Sequence, residues 1–153
     1  MREIHGYTLL GELTAHNAGF CKWAFCEKNG HQYFIKEFLS PVYPAEGKGI
    51  SAKNLERKRE ICRDYFRSKL RLYQQLNDAC RSGNNILIRE FFLYETKFYI
   101  VTDIVYSVGT DPALVARLPV EKKETLIRSL IYSISKLHSA GIVDRKSTRL
   151  NSS

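Results

Sequence analysis

The chain has 153 residues, 24 of them lysine or arginine against 16 acidic, for a formal net charge of +8; 44% are hydrophobic and 26% charged. This is the profile of an ordinary soluble globular protein, with room for one domain and a sizeable core. No signal-peptide pattern opens the chain and no apolar run approaches a membrane span, so the expectation is a cytoplasmic protein with no membrane partner.

In chain order, Gly6 to Leu13 alternates loosely and reads as a first strand, and the small, polar run Thr14 to Gly19 reads as a turn. From Phe20 to Cys26, alternation puts Cys21, Trp23 and Phe25 on one face of a second strand and Lys22 and Ala24 on the other. Asn29-Gly30 predicts a tight hairpin turn into a third strand, His31 to about Phe38. Within it, Tyr33-Phe34-Ile35-Lys36 is apolar and β-prone until it ends in a charge. A lysine there either snorkels to water or needs an anion, because a buried, unpaired ammonium is costly.

Two prolines and two glycines between Ser40 and Gly49 predict a loop. A long helix follows from about Ala52 to Cys80, with Cys62, Phe66, Tyr73, Leu76 and Cys80 as its apolar stripe. Ile86 to Tyr94 and Lys97 to Val105 form a second hairpin turning at Glu95-Thr96. A short helix from Asp111-Pro112 to about Leu118 precedes another from about Val120 to Ala140, where Leu126, Leu130, Ile134 and Leu137 are expected to face a core.

The positive charge concentrates in the long helix. Eight basic residues lie between Lys53 and Arg71 against Glu56, Glu60 and Asp64. No nucleic-acid motif accompanies them, so a solvated helix face is the reading and a nucleic-acid partner is not expected. Cys21, Cys26, Cys62 and Cys80 show neither a CxxC pair nor regular spacing with histidine, which predicts reduced thiols rather than a zinc site or disulfides.

Lys36 in a third strand, a turn ending in Gly19, a long helix, two further strands, and a helix closing on Leu137-His138-Ser139-Ala140-Gly141-Ile142-Val143 together resemble the protein-kinase superfamily. The run Phe34 to Pro41 is similar to a divergent bacterial serine/threonine-kinase-like group. The resemblance spans Gly6 to Val143. It implies an α+β fold: a five-stranded antiparallel sheet with one long helix over residues 1–105, then the first helices of an incomplete carboxy-terminal lobe over 106–143.

It also implies roles. Lys36, the one catalytic residue carried over, matches the lysine that holds the α- and β-phosphates of ATP. Gly19 matches the last glycine of the phosphate loop, Cys21 an apolar residue covering adenine, and Phe34 the ceiling above it. Thr102 falls at the gatekeeper position and Asp103-Ile104-Val105 at the hinge, where the backbone of Asp103 and Val105 would meet the purine edge. The implied cofactors are ATP and magnesium, and the implied partner is a protein substrate; the residues that hold the metal would come after Val143.

Departures from the family pattern are local. Thr14 and His16 stand where the first two glycines belong, and Phe34 replaces a small residue. Counting back from Leu72, Tyr73 and Leu76 puts Lys69 where the family has the glutamate that pairs with the strand lysine. Two ammoniums ~4 Å apart repel by ~4 kcal/mol at an effective dielectric of ~20. Either the helix is rotated or displaced, or Glu60 or Asp64 serves from an earlier turn.

After Val143, Asp144 to Ser153 does not continue the kinase pattern and resembles an in-frame translation of a common sequencing adapter, a non-native tail. The expectation is therefore a fragment of an ATP-dependent serine/threonine protein kinase, inactive by itself. The alternative is a pseudokinase or interaction module with a vestigial nucleotide slot.

Overall fold

The computed structural model describes residues 2–45, 49–80, 86–105 and 112–142. The fold is α+β. Six antiparallel strands, β1 (Glu3–Ile4), β2 (Tyr7–Leu9), β3 (Cys21–Lys28), β4 (His31–Phe38), β5 (Ile88–Tyr94) and β6 (Lys97–Asp103), form one sheet in the order β1-β2-β3-β4-β6-β5. The helices are α1 (Ala52–Cys80), α2 (Pro112–Arg117) and α3 (Val120–Ser139). None of them is long and apolar enough to cross a membrane. Two compact units are present: Met1–Tyr73 with Leu87–Ile104, and Gln74–Ile86 with Val105–Ser153.

Six strands replace the expected five. The stretch read as a single first strand is preceded by a two-residue strand, and the chain reverses at His5 and Gly6, whose φ angles are 53° and 80°. Glycine takes that left-handed conformation freely, but histidine does so only when its surroundings hold it there. Here they do: the His5 ring stacks on Phe92 at 4.4 Å and its Nε2 lies 3.1 Å from Glu90. The turn at Asn29 and Gly30, with φ of 55° and 75°, is as expected from the sequence.

The first unit has two apolar clusters, one on each face of the sheet. Ile4, Tyr7, Leu9, Ala24, Cys26, Ile35, Phe92, Tyr99 and Val101 fill one. On the other face Phe91, Phe98 and Ile100 pack with Cys62 of α1, and Phe38, Tyr65, Phe66 and Tyr73 close around them. Cys62, Phe66 and Tyr73 of the predicted stripe lie here with Tyr65, Leu76 is not part of this cluster, and Ser51 caps α1 by accepting the Asn54 N–H at 3.3 Å. The rings of Phe66, Phe91 and Phe98 stack at 5.2 to 6.2 Å. Cys21, Cys26 and Cys62 are free thiols, and burial pushes Cys26 up to about 11.

In the second unit, α3 has no buried residue. Leu126, Leu130 and Ile134 are 43%, 55% and 50% exposed, so among the described residues the stripe does not face a core as expected. Periodicity reveals an apolar face but not what covers it. Cys80, as a side chain, and the segment Asp144 to Ser153 lie outside the described residues.

Two measurements check this packing. Phe98→Ala removes a buried ring touching Tyr65, Phe66 and Phe91, and is expected to cost ~3–5 kcal/mol in urea unfolding. Ile61→Ala on the exposed side of α1 is expected to change stability by ~0.5 kcal/mol or less. Alkaline pH gives a second handle. Burial, with Tyr65 adding to it, pushes the Tyr73 hydroxyl from 10.0 up to about 12. Above pH 10 the unfolded tyrosine ionises while the folded one keeps its proton. Stability is therefore expected to hold below pH 10 and fall towards pH 12, with a shallower fall in Tyr73→Phe.

Candidate functional site

β4 lies between β3 and β6, and its side chains alternate between the two faces of the sheet. Ile35 and Glu37 are buried on the face away from α1, while Phe34, Lys36 and Phe38 lie on the α1 face. Pairing with the neighbours fixes rows across that face. Phe25, Phe34 and Thr102 form one row, Trp23, Lys36 and Ile100 the next, and Cys21 stands opposite Phe38.

The first two rows make an aromatic surface beside a charge. The ring centroids of Trp23 and Phe34 are 5.2 Å apart, those of Phe25 and Phe34 5.7 Å, and those of Trp23 and Phe25 5.8 Å. Phe25 is 44% exposed, and Trp23 and Phe34 are half-buried. The half-buried Lys36 ammonium lies 5.5 Å from the Phe34 centroid. Among the described residues no carboxylate forms an ion pair with it.

Neither acidic candidate on α1 fills that role. Asp64 pairs with Arg67 at 3.6 Å, and Glu60 is exposed. The Lys69 ammonium lies 5.7 Å from the Tyr65 ring centroid. A cation over an aromatic face is a favourable contact.

The turn before β3 folds back on Trp23. Thr14 and Trp23 exchange backbone hydrogen bonds of 2.9 and 2.8 Å, and the indole Nε1 donates to the His16 carbonyl at 2.8 Å. The Cys21 Sγ donates to the Ala18 carbonyl at 3.0 Å. Gly19 closes the turn with φ of 59°, and a Cβ there would meet nothing within 4 Å. Backbone conformation, not close approach by another atom, is what asks for glycine.

At the far end of β6, the Thr102 hydroxyl donates to the Asp103 carbonyl at 3.2 Å, and the Asp103 N–H donates to Leu87 at 3.3 Å. The Arg89 guanidinium grips the Asp103 carboxylate through Nε and Nη2 at 2.7 and 2.8 Å, a fork that raises the arginine's pKa. Val105 is exposed and belongs to the second unit.

The sheet thus brings Phe34, Lys36 and Thr102 together on one face. Cys21 is offset from the Phe34 row by four residues of strand, about 13 Å at ~3.3 Å per residue, and Phe25 is the residue directly opposite Phe34. Sequence reasoning missed Trp23 and Phe25 as site residues. The signal was available: they share the face of Cys21, and a two-residue Asn29-Gly30 turn puts residues 25 and 34 opposite each other.

No protein-family model matches the chain, and no curated protein matches it.

Trp23 is the only tryptophan in the sequence, so its emission reports on this surface. Phe34→Ala removes a ring that shields the indole and is expected to shift Trp23 emission to longer wavelength. An unshifted spectrum from a folded variant would show that the ring does not shield it.

Proposed function

We propose that this chain is the nucleotide-binding part of an ATP-dependent serine/threonine protein-kinase-like protein, with Lys36 as the phosphate-binding cation. The observation that carries this reading is the Lys36 ammonium, half-buried among Phe34, Trp23 and Ile100 with no ion-pair partner among the described residues. A nucleotide phosphate supplies the missing negative charge, and a compact ammonium suits it as a point charge. The partly exposed rings beside it offer surface for stacking a purine.

In this reading Thr102 and the Asp103 backbone lie at the purine edge, and the Thr14 to Gly19 turn lies at the phosphate end. Magnesium would arrive with the ATP. By resemblance to the family, the groups that hold the metal and orient the protein hydroxyl follow Val143, so the activity read here is binding. Phosphoryl transfer to a protein substrate belongs to the whole protein.

A second reading, a pseudokinase or interaction module, is favoured by the mutual packing of Trp23, Phe25 and Phe34 where an adenine would lie and by Lys69 in place of a glutamate. Both readings are tested by titrating the chain with ATP and magnesium while following Trp23 emission. Saturable quenching is expected, with adenosine binding more weakly than ATP and Lys36→Ala losing roughly tenfold or more in affinity. No response to ATP favours the vestigial slot. Equal affinity for ATP and adenosine would remove Lys36 from the phosphate role.

A further inference from the structure

The face of the sheet opposite Lys36 has a cleft of its own. Past β2, the Leu10 N–H donates to the Phe25 carbonyl at 2.9 Å, and pairing resumes only where Thr14 meets Trp23. Gly11, Glu12 and Leu13 therefore stand opposite Ala24 alone, and the extra backbone bows away from β3. The resulting cleft has a volume of about 560 Å³, within the ~300–1,000 Å³ typical of small-molecule sites.

Its lining is chemically divided. Leu9 is buried and Leu10 and Leu13 add apolar surface. Glu37 lies deep, 7% exposed, and its carboxylate accepts a hydrogen bond from the Tyr99 hydroxyl at 2.7 Å. Lys22 is its direct cross-strand neighbour and Arg2 lines the same cleft, yet among the described residues no cation pairs with Glu37. A buried carboxylate held by one neutral hydroxyl is an acceptor short of a cation. Arg2 and Lys22 are exposed, water-facing cations on the same cleft, without ion-pair partners among the described residues.

We propose that this cleft binds a small zwitterion with an apolar frame, of dipeptide size, its ammonium on Glu37 and its carboxylate on Arg2 and Lys22. A simple cation would have to pass two positive side chains, and a simple anion would face Glu37 and Glu12. Only a molecule carrying both charges matches the sequence of charges from rim to floor. This site is on the opposite face from the proposed nucleotide surface and does not depend on that reading.

The test is calorimetric titration of the full chain with the dipeptide Leu-Leu, with N-acetyl-Leu-Leu, which lacks the ammonium, and with Leu-Leu amide, which lacks the carboxylate. Leu-Leu is expected to bind with a Kd of ~1 mM or tighter and each blocked form at least about tenfold more weakly. Glu37→Gln, which keeps the acceptor for Tyr99, is expected to weaken Leu-Leu about tenfold or more and to abolish its preference over the acetylated form. Gly11→Phe checks the location without touching a charge. Gly11 lines the cleft and nothing lies within 4 Å of a Cβ built there, so a ring is accommodated at the cleft wall, and loss of Leu-Leu binding in that folded variant is expected. No detectable Leu-Leu binding, equal binding of the blocked forms, or unchanged binding in Gly11→Phe would each overturn the proposal.

Discussion

The two-residue period of β4 is the constraint on which both faces of the sheet depend. Lys36 and Glu37 are adjacent in sequence and opposite in direction, one on the α1 face with the aromatic surface, the other lining the cleft at the segment between β2 and β3. A slip of one residue against β3 would carry the ammonium to the face of Ala24 and Cys26 and turn the carboxylate to the face of Trp23 and Phe25. The Asn29-Gly30 turn excludes that slip, because two left-handed residues close the hairpin with Lys28 opposite His31 and fix every later pair.

On the α1 face, a helix rich in charge is held by its aromatic side chains. Phe66, Tyr65 and Tyr73 lock onto Phe91 and Phe98, while the pairs on the solvent side, such as Arg67 with Asp64, join exposed groups of a kind that contributes little. The rotational setting of α1 is thus chosen by ring packing. That setting puts Lys69 on Tyr65 and leaves Lys36 without an ion-pair partner among the described residues.

Much of the architecture is legible from local chemistry. The alternation of β3 and β4, the stripe on α1 and the turns at Asn29-Gly30 and Glu95-Thr96 each follow from residue type and spacing. The β1–β2 reversal does not, because His5 takes a left-handed backbone only through contacts with Phe92 and Glu90, more than eighty residues away in sequence. Phe34, Lys36 and Thr102 are grouped in the sequence only through the resemblance to a known family, because no turn joins β4 to β6. Phe25 and Trp23 needed the β3–β4 register carried through to the pairing itself. The cleft beside Glu37 had no signal, since the bow of Gly11 to Leu13 depends on where pairing stops and restarts.

The carboxylate of Glu90 sits at a shift in register between β5 and β6 and gathers three groups from elsewhere in the sheet: His5 at 3.1 Å, the Tyr7 hydroxyl at 2.8 Å and Lys28 at 3.6 Å. The Lys28 ammonium also lies 4.2 Å from the Tyr7 ring centroid. These contacts tie the β1–β2 hairpin to β5 at the opposite margin, so the sheet's two free margins are drawn together by side chains instead of backbone pairing. A margin two residues long, with a charged cluster against it, is a poor template for a strand from another molecule. Glu90 therefore ties down the short β1 margin as well as linking it to β5.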